Sequence, residues 1–189
     1  GTAAAATGEE KRAPVVQLPG PGEPVTYSHV APIFLKRCVT CHAEKGRMGG
    51  PPEGLILKTR DRILAGGERV VVIPGNPGAS LLVRHIEGRE RPRMPFDGPP
   101  YLSDGEIRLI SDWIAQGAPD DEGKRARVPA GARVRLEGIL TGYWEVDGTP
   151  LRIGSGTRIK KRPLPGDRVE VRGTLLPDGS ISVERIRKR

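Results

Sequence analysis

The sequence predicts two domains, a helical one followed by a small all-β one, behind an N-terminal leader. Three observations carry this. The 189 residues are 36% apolar and only 4% aromatic, which excludes one large aromatic core, and no stretch approaches the roughly 20 apolar residues of a membrane span. The 26 glycines and 19 prolines favour short elements and many loops over a long bundle. The apolar period also changes, from about 3.6 residues to about 2, across a break at Pro119-Asp120-Asp121-Glu122-Gly123-Lys124. The predicted divisions are a flexible leader at 1–24, a helical domain at 25–119, a linker at 120–127 and a β domain at 128–189.

Taken in chain order, Gly1 to Glu10 has neither a basic region nor a long apolar run, so the start reads as the mature portion of a processed chain. The Ala-, Gly- and Pro-rich stretch to Glu23 reads as a tether. Tyr27–Arg37 reads as a helix with Ser28 as its cap and Val30, Ile33, Phe34 and Arg37 on one face. Gly46 to Gly54 is a loop, and Thr59 caps a short helix to Ala65 that Gly66-Gly67 ends. Asn76-Pro77 signals a helix from Pro77 to Glu87. Arg91 to Pro100 is too proline-rich for regular structure. Ser103-Asp104-Gly105-Glu106 is a capping box, followed by Ile107, Leu109, Ile110, Trp113 and Ile114 at helical spacing and closed by Gly117.

Beyond the break, Ala132, Val134 and Leu136 alternate with charged residues, as do Val169 and Val171. With Trp144–Ile153, Thr157–Lys160 and a last strand through Ile181, Val183 and Ile186 after the Asp178-Gly179 turn, about five strands are expected, the size of a small barrel. The formal charge of +8 is unevenly spread. Residues 1–123 carry 15 basic and 16 acidic side chains, a net −1, while residues 124–189 carry 16 and 7, a net +9. The helical half is neutral and the β half is basic.

The only cysteines are Cys38 and Cys41, and His42 follows directly, giving C-x-x-C-H. Two thiols on one helical turn can each add to a haem vinyl group, and the adjacent imidazole then serves as the proximal iron ligand. Three other chemistries use a cysteine pair. A thioredoxin-like redox site needs a βαβ context that is missing here, a zinc site needs four ligands with only His29 and His85 to supplement the motif, and a bare disulfide leaves His42 without a role. Covalent haem accounts for every residue of the motif, and one motif means one haem c. Attachment of this kind takes place outside the cytoplasm, so the chain is expected to be periplasmic or otherwise extracytoplasmic.

A second iron ligand has few sources. Met48 follows His42 too closely to pass round a haem edge without a sharp fold. Met94, 52 residues after His42, lies in the Pro-rich loop and can bring a thioether to the other haem face, with Pro95 keeping it extended; its plainer role is packing on the core. His85 shares a helix face with Leu82 and Ile86, and His29 starts the first helix. Either would make a bis-histidine site, though neither spacing demands it. Arg91 and Arg93 flank the ligand loop and can pair with haem propionates or stay solvated.

These segments carry a resemblance. Ala31–His42 (A-P-I-F-x-x-x-C-x-x-C-H), Pro74–Leu82, Met94-Pro95 and Leu102–Ala118 occur in the order found in class I, mono-haem bacterial cytochrome c domains, which residues 25–119 resemble. One departure is Phe96, where a second proline is common. The resemblance implies an all-α class I cytochrome c fold with its first and last helices crossed, His42 and Met94 as axial ligands, and transfer of single electrons. Residues 128–189 resemble, on strand count and turns alone, the small OB-like barrels appended to bacterial exported proteins.

The expected function is therefore that of an electron carrier, not an enzyme, whose partner is a redox protein, an acidic one if the basic barrel assists docking. Two alternatives stand beside it: a haem subunit or sensor with an open sixth position, and an anion- or partner-binding barrel with an auxiliary haem. Nucleic acid is not an expected partner, since Tyr143 and Trp144 are the only aromatics after residue 123 and, in one strand, would face opposite ways.

Overall fold

The computed structural model describes residues 17–189, so most of the expected leader lies outside the described residues. Four helices come first, α1 (Tyr27–Arg37), α2 (Arg60–Ala65), α3 (Leu81–Ile86) and α4 (Asp104–Ala115), with a 3-10 turn at Pro52–Gly54 between α1 and α2. Six strands follow, β1 (Arg133–Ile139), β2 (Glu145–Val146), β3 (Thr149–Arg152), β4 (Arg158–Lys160), β5 (Arg168–Leu175) and β6 (Ile181–Lys188). No helix among the described residues is long and apolar enough to cross a membrane.

Each helix buries its apolar face. Val30, Ile33 and Phe34 of α1 meet Leu109, Ile110, Trp113 and Ile114 of α4 in one core cluster. Trp113 is fully buried. Its ring centroid lies 6.2 Å from Phe34 in an edge-on arrangement and 6.0 Å from Tyr27, within the range of favourable aromatic pairs. The indole N–H donates to the Pro119 carbonyl at 2.9 Å, which also accepts the Tyr27 N–H. Ser103 and Glu106 cap α4 reciprocally, at 3.1 and 3.0 Å.

Three local expectations are corrected. Thr26, not Ser28, is the N-cap of α1, because the His29 ring nitrogen accepts the Thr26 N–H at 2.9 Å and the Ser28 N–H turns to Asp121. The helix expected from Pro77 begins only at Leu81. The Asn76 side chain satisfies the Ala79 N–H, and the Ser80 hydroxyl is spent on the Asn76 carbonyl and the Ile73 N–H, so residues 76–80 close as a turn. Trp144–Ile153 is a hairpin rather than one strand, β2 pairing β3 across Asp147-Gly148. Both turn residues have positive φ, 48° and 78°, as a primed two-residue turn requires.

The strands pair in the order β1-β5-β6-β3-β2, with β4 also on β6. β1–β5, β5–β6 and β2–β3 are antiparallel, β3–β6 and β4–β6 parallel. An isolated bridge between Leu140 and Val146 brings β2 back beside the end of β1, so the two ends of the sheet meet. Inside lies a second cluster that includes Leu136, Val146, Val171, Ile181 and Ile186 and takes in Ile73 and Ala79 from the helical half.

Polar contacts join the halves. Arg84 of α3, only 1% exposed, reaches Asp147 of the β2–β3 turn at 3.1 Å and Glu90 at 3.4 Å. Asp147 also accepts from Arg89 at 3.2 Å, and Asn76 donates to the Thr149 hydroxyl at 3.0 Å. Gly138 makes room for this, since a Cβ there would stand 2.5 Å from an Asp147 carboxylate oxygen. Without Asp147 the buried Arg84 keeps only Glu90, at 3.4 Å, and a buried charge with part of its compensation removed is costly. Asp147→Ala is thus expected to cost about 2 kcal/mol, read as a lower urea midpoint, with Asp147→Glu recovering part of it.

Candidate functional site

The end of α1 delivers Cys38, whose N–H donates to the Phe34 carbonyl, and the next turn is closed by the His42 N–H on the Cys38 carbonyl. Beyond it the chain folds back. The Arg47 N–H reaches the Thr40 carbonyl at 2.7 Å, and Gly46 and Gly49 exchange bonds at 2.8 and 3.0 Å. A Cβ on Gly46 would stand 2.5 Å from the Cys41 carbonyl oxygen, so only glycine lets the loop lie against the motif. We expect Gly46→Ala to cost about 2 kcal/mol of stability through this overlap, read as a lower urea midpoint.

His42 is held on both sides. Its carbonyl accepts the Leu57 N–H at 2.9 Å, and its Nδ1 lies 3.1 Å from the Leu55 carbonyl oxygen. A carbonyl only accepts, so Nδ1 carries a proton, and in the neutral ring this leaves the lone pair on Nε2, the tautomer a metal-ligating imidazole requires. His42 lines a cavity of about 310 Å³ together with Cys38, Cys41 and Met94. Its walls are largely apolar, from Phe34, Leu55, Leu57, Val71, Leu82 and Ile110, as a site for a planar hydrophobic cofactor needs. Burial, outweighing the opposing charge of Arg37 and aided by Asp97 and Glu106, pushes the Cys38 thiol up to about 12. A redox C-x-x-C works through a lowered thiol pKa, so the thioredoxin-like chemistry fits this site poorly.

The Pro-rich loop supplies another wall. Met94 is half-buried, packs against the helical core and donates its N–H to the His85 carbonyl at 3.0 Å. His85 lines the same cavity. Its Nδ1 lies 2.9 Å from the Pro92 carbonyl oxygen, so its neutral ring has the same tautomer, with the lone pair on Nε2, a feature that helical spacing alone did not reveal. Met48 and Phe96 line the cavity while 60% and 64% exposed, which places them at its mouth. His29 is occupied in capping α1.

Of the two arginines expected near the cofactor, Arg91 lines the cavity and Arg93 does not. The Arg93 guanidinium stacks 4.1 Å above the Tyr101 ring, a cation–π contact that draws it to the other side of the loop. Three arginines not anticipated from the sequence line the cavity instead: Arg37 from the end of α1, Arg69 after the Gly66-Gly67 turn, and Arg135 from β1. Arg37 also donates to the Pro100 carbonyl. Arg135 brings the β half to the cavity wall, which local patterning cannot show because it depends on how the halves pack.

Residues 38–98 match the family model described as Planctomycete cytochrome C. The match supports a cytochrome c-like domain in the chain. The matched span starts at Cys38 and ends at Gly98, so it holds the whole motif and Met94 while leaving out α1 and α4, and it points to a haem-binding cytochrome. No curated protein and no solved structure matches the chain.

Proposed function

We propose that this cytochrome c-like protein is an extracytoplasmic mono-haem c-type cytochrome that passes single electrons between redox partners, with Cys38 and Cys41 in thioether links and His42 and Met94 as axial ligands. The observation that carries the reading is the Leu55 carbonyl on His42 Nδ1, which fixes the imidazole with its other nitrogen free in a cavity that also holds both thiols and the Met94 thioether. Haem, when bound, supplies an iron that changes oxidation state by one electron. The chain's part is to hold, orient and shield it. The apolar walls keep water away, the Leu55 carbonyl orients the imidazole while the Leu57 N–H holds the His42 backbone, and Arg37, Arg69, Arg91 and Arg135, which line the cavity, would neutralise anionic propionates. A thioether in place of a second imidazole favours the reduced state and a comparatively high potential.

Exposed Met48 and Phe96 offer an apolar rim for a transient partner, where small wet interfaces are usual. The strand order and the Leu140–Val146 bridge support an OB-like barrel, and its charge of +9 suits an acidic partner.

The bond from His85 to Pro92 favours one second reading, in which His85 takes the sixth position. Spectra of the ferric protein decide. Methionine ligation gives a far-red charge-transfer band that Met94→Ala abolishes and His85→Ala leaves. Absence of the band in the wild type, with a high-spin shift in His85→Ala alone, would assign His85. A high-spin ferric wild type would sink both and leave an open site.

A further inference from the structure

A second cavity, of about 520 Å³, lies between the Glu68-Arg69 loop and β1, β4, β5 and β6. Six arginines line it: Arg69, Arg133, Arg135, Arg158, Arg172 and Arg185. The register shows how unusual the arrangement is. Arg135 on β1 is the direct cross-strand partner of Arg172 on β5, Arg172 the partner of Arg185 on β6, and Arg185 the partner of Arg158 on β4. A continuous row of four arginines therefore crosses four adjacent strands. Like charges directly opposite one another destabilise a sheet, and a face that served only solubility would alternate its signs.

The carboxylates present organise this row without neutralising it. Buried Glu170 accepts Arg135 at 2.9 Å and Arg189 at 3.0 Å on one oxygen, and Arg172 at 3.1 Å and Arg185 at 3.2 Å on the other. One negative charge thus fixes four positive groups. Glu184 pairs with Arg133 only at 3.9 Å, Arg69 leans to Glu53 at 3.6 Å, and Glu68 is the remaining acid of the lining. Among the described residues Arg158 makes no ion pair. Six guanidiniums thus face Glu68 and Glu184 in the lining and Glu170 beneath it, with Glu53 on Arg69 and Glu137 on Arg135 at 3.6 and 3.7 Å, which leaves Arg133, Arg158, Arg172 and Arg185 as a local excess of positive charge in a concave site.

We propose that this cavity is a binding site for a small oxyanion carrying two or more negative charges, of the phosphate or sulfate class. Planar guanidiniums with forked donors match tetrahedral oxyanions, and they are weakly hydrated enough to release water on binding. Concavity favours a small ligand over an extended polymer, which would need a flat or grooved track. Arg69 and Arg135 also line the His42 cavity, so the arginines that belong to this site alone are Arg133, Arg158, Arg172 and Arg185, and with these the site stands apart from the haem reading.

The test is calorimetric titration of the full-length holoprotein with inorganic pyrophosphate and, separately, sulfate, at ionic strength held constant with sodium chloride. Saturable one-to-one binding is expected, weakened about tenfold in Arg158→Ala, the worth of one charge-assisted hydrogen bond. Arg133→Ala, whose side chain is 84% exposed and carries little fold, should weaken binding likewise. Arg162→Ala removes the same charge from an exposed position outside the cavity lining and should leave affinity unchanged. No saturable heat with either anion would overturn the proposal. So would equal losses in Arg158→Ala and Arg162→Ala, which would mean diffuse attraction. Binding of a long sulfated polymer without binding of pyrophosphate would instead make the face a macromolecular docking surface and overturn the small-ligand assignment.

Discussion

Trp113→Ala is expected to remove about 4 kcal/mol of stability from the helical half, the range for truncating a fully buried large aromatic. Trp113 has no exposed surface and is the largest side chain by which α4 meets α1, edge-on against Phe34 and tilted against Tyr27. Phe34 in turn lines the cavity of His42 and its carbonyl accepts the Cys38 N–H. The consequence reaches the site: once the ring is gone, α1 loses the surface that fixes its last turn, and with it the position of the first thiol. Trp113→Phe separates packing from hydrogen bonding. It keeps an aromatic ring and removes the donor to Pro119, and it should cost about 1–2 kcal/mol. Urea unfolding of both variants, with haem content measured on the same preparations, checks the expectation. A loss under about 1 kcal/mol for the alanine variant would show that α1 and α4 are held together by something other than this ring.

What the sequence made legible was local. α4 has its capping pair, its apolar stripe and its terminating glycine within 15 residues, Ser103 to Gly117, and all of these act over one or two helical turns. The same holds for the Thr59 cap of α2 and the Asp178-Gly179 turn. Where a local signal had rivals, position in the fold decided. Thr26 and Ser28 can both cap a helix, and the choice fell to His29 reaching back and to Asp121, more than 90 positions away, taking the Ser28 N–H. Asn76-Pro77 is a sound helix start, but Ser80 is drawn to the Ile73 backbone, which packs in the other core cluster, and the helix waits one turn. Asp147-Gly148 is a hairpin signal inside a stretch that reads as one strand.

The candidate site divides the same way. Cys38, Cys41 and His42 are contiguous, so their chemistry is written in their spacing. The Leu55 and Pro92 carbonyls that set the tautomers of His42 and His85 carry no sequence signal, because any residue supplies a carbonyl. Arg69 and Arg135 are separated by 66 positions and meet only because the sheet packs beside the Gly66-Gly67 turn. The charge count located a basic half, and only the strand register turned it into a row.

That row gives the second large effect, through Glu170. The carboxylate is 2% exposed. Burial opposes its charge, but the hydrogen bond and charge of Arg135, with the charges of Arg172 and Arg189, hold its pKa down from the ordinary 4.5 to about 2. A carboxylate held below its unfolded value stabilises the fold fully above that unfolded value, and the stabilisation fades as pH falls toward the folded one. The window therefore runs from about pH 4.5 down to about pH 2. Its full size is about 3 kcal/mol. Glu170→Gln keeps the shape and removes the charge, so at neutral pH it should be less stable than the wild type by about that amount. At pH 3 the gap should narrow to about 1 kcal/mol and near pH 2 it should close, because the wild type has then lost the same charge. Urea unfolding of both proteins at pH 7, 4 and 3 reads this as a difference, which cancels every other group that titrates in acid. A gap that stays constant with pH would mean that Glu170 acts by its shape and hydrogen bonds alone. A gap that widens as pH falls would mean that Glu170 is held above the value of an isolated carboxylate, and that burial outweighs its four arginines.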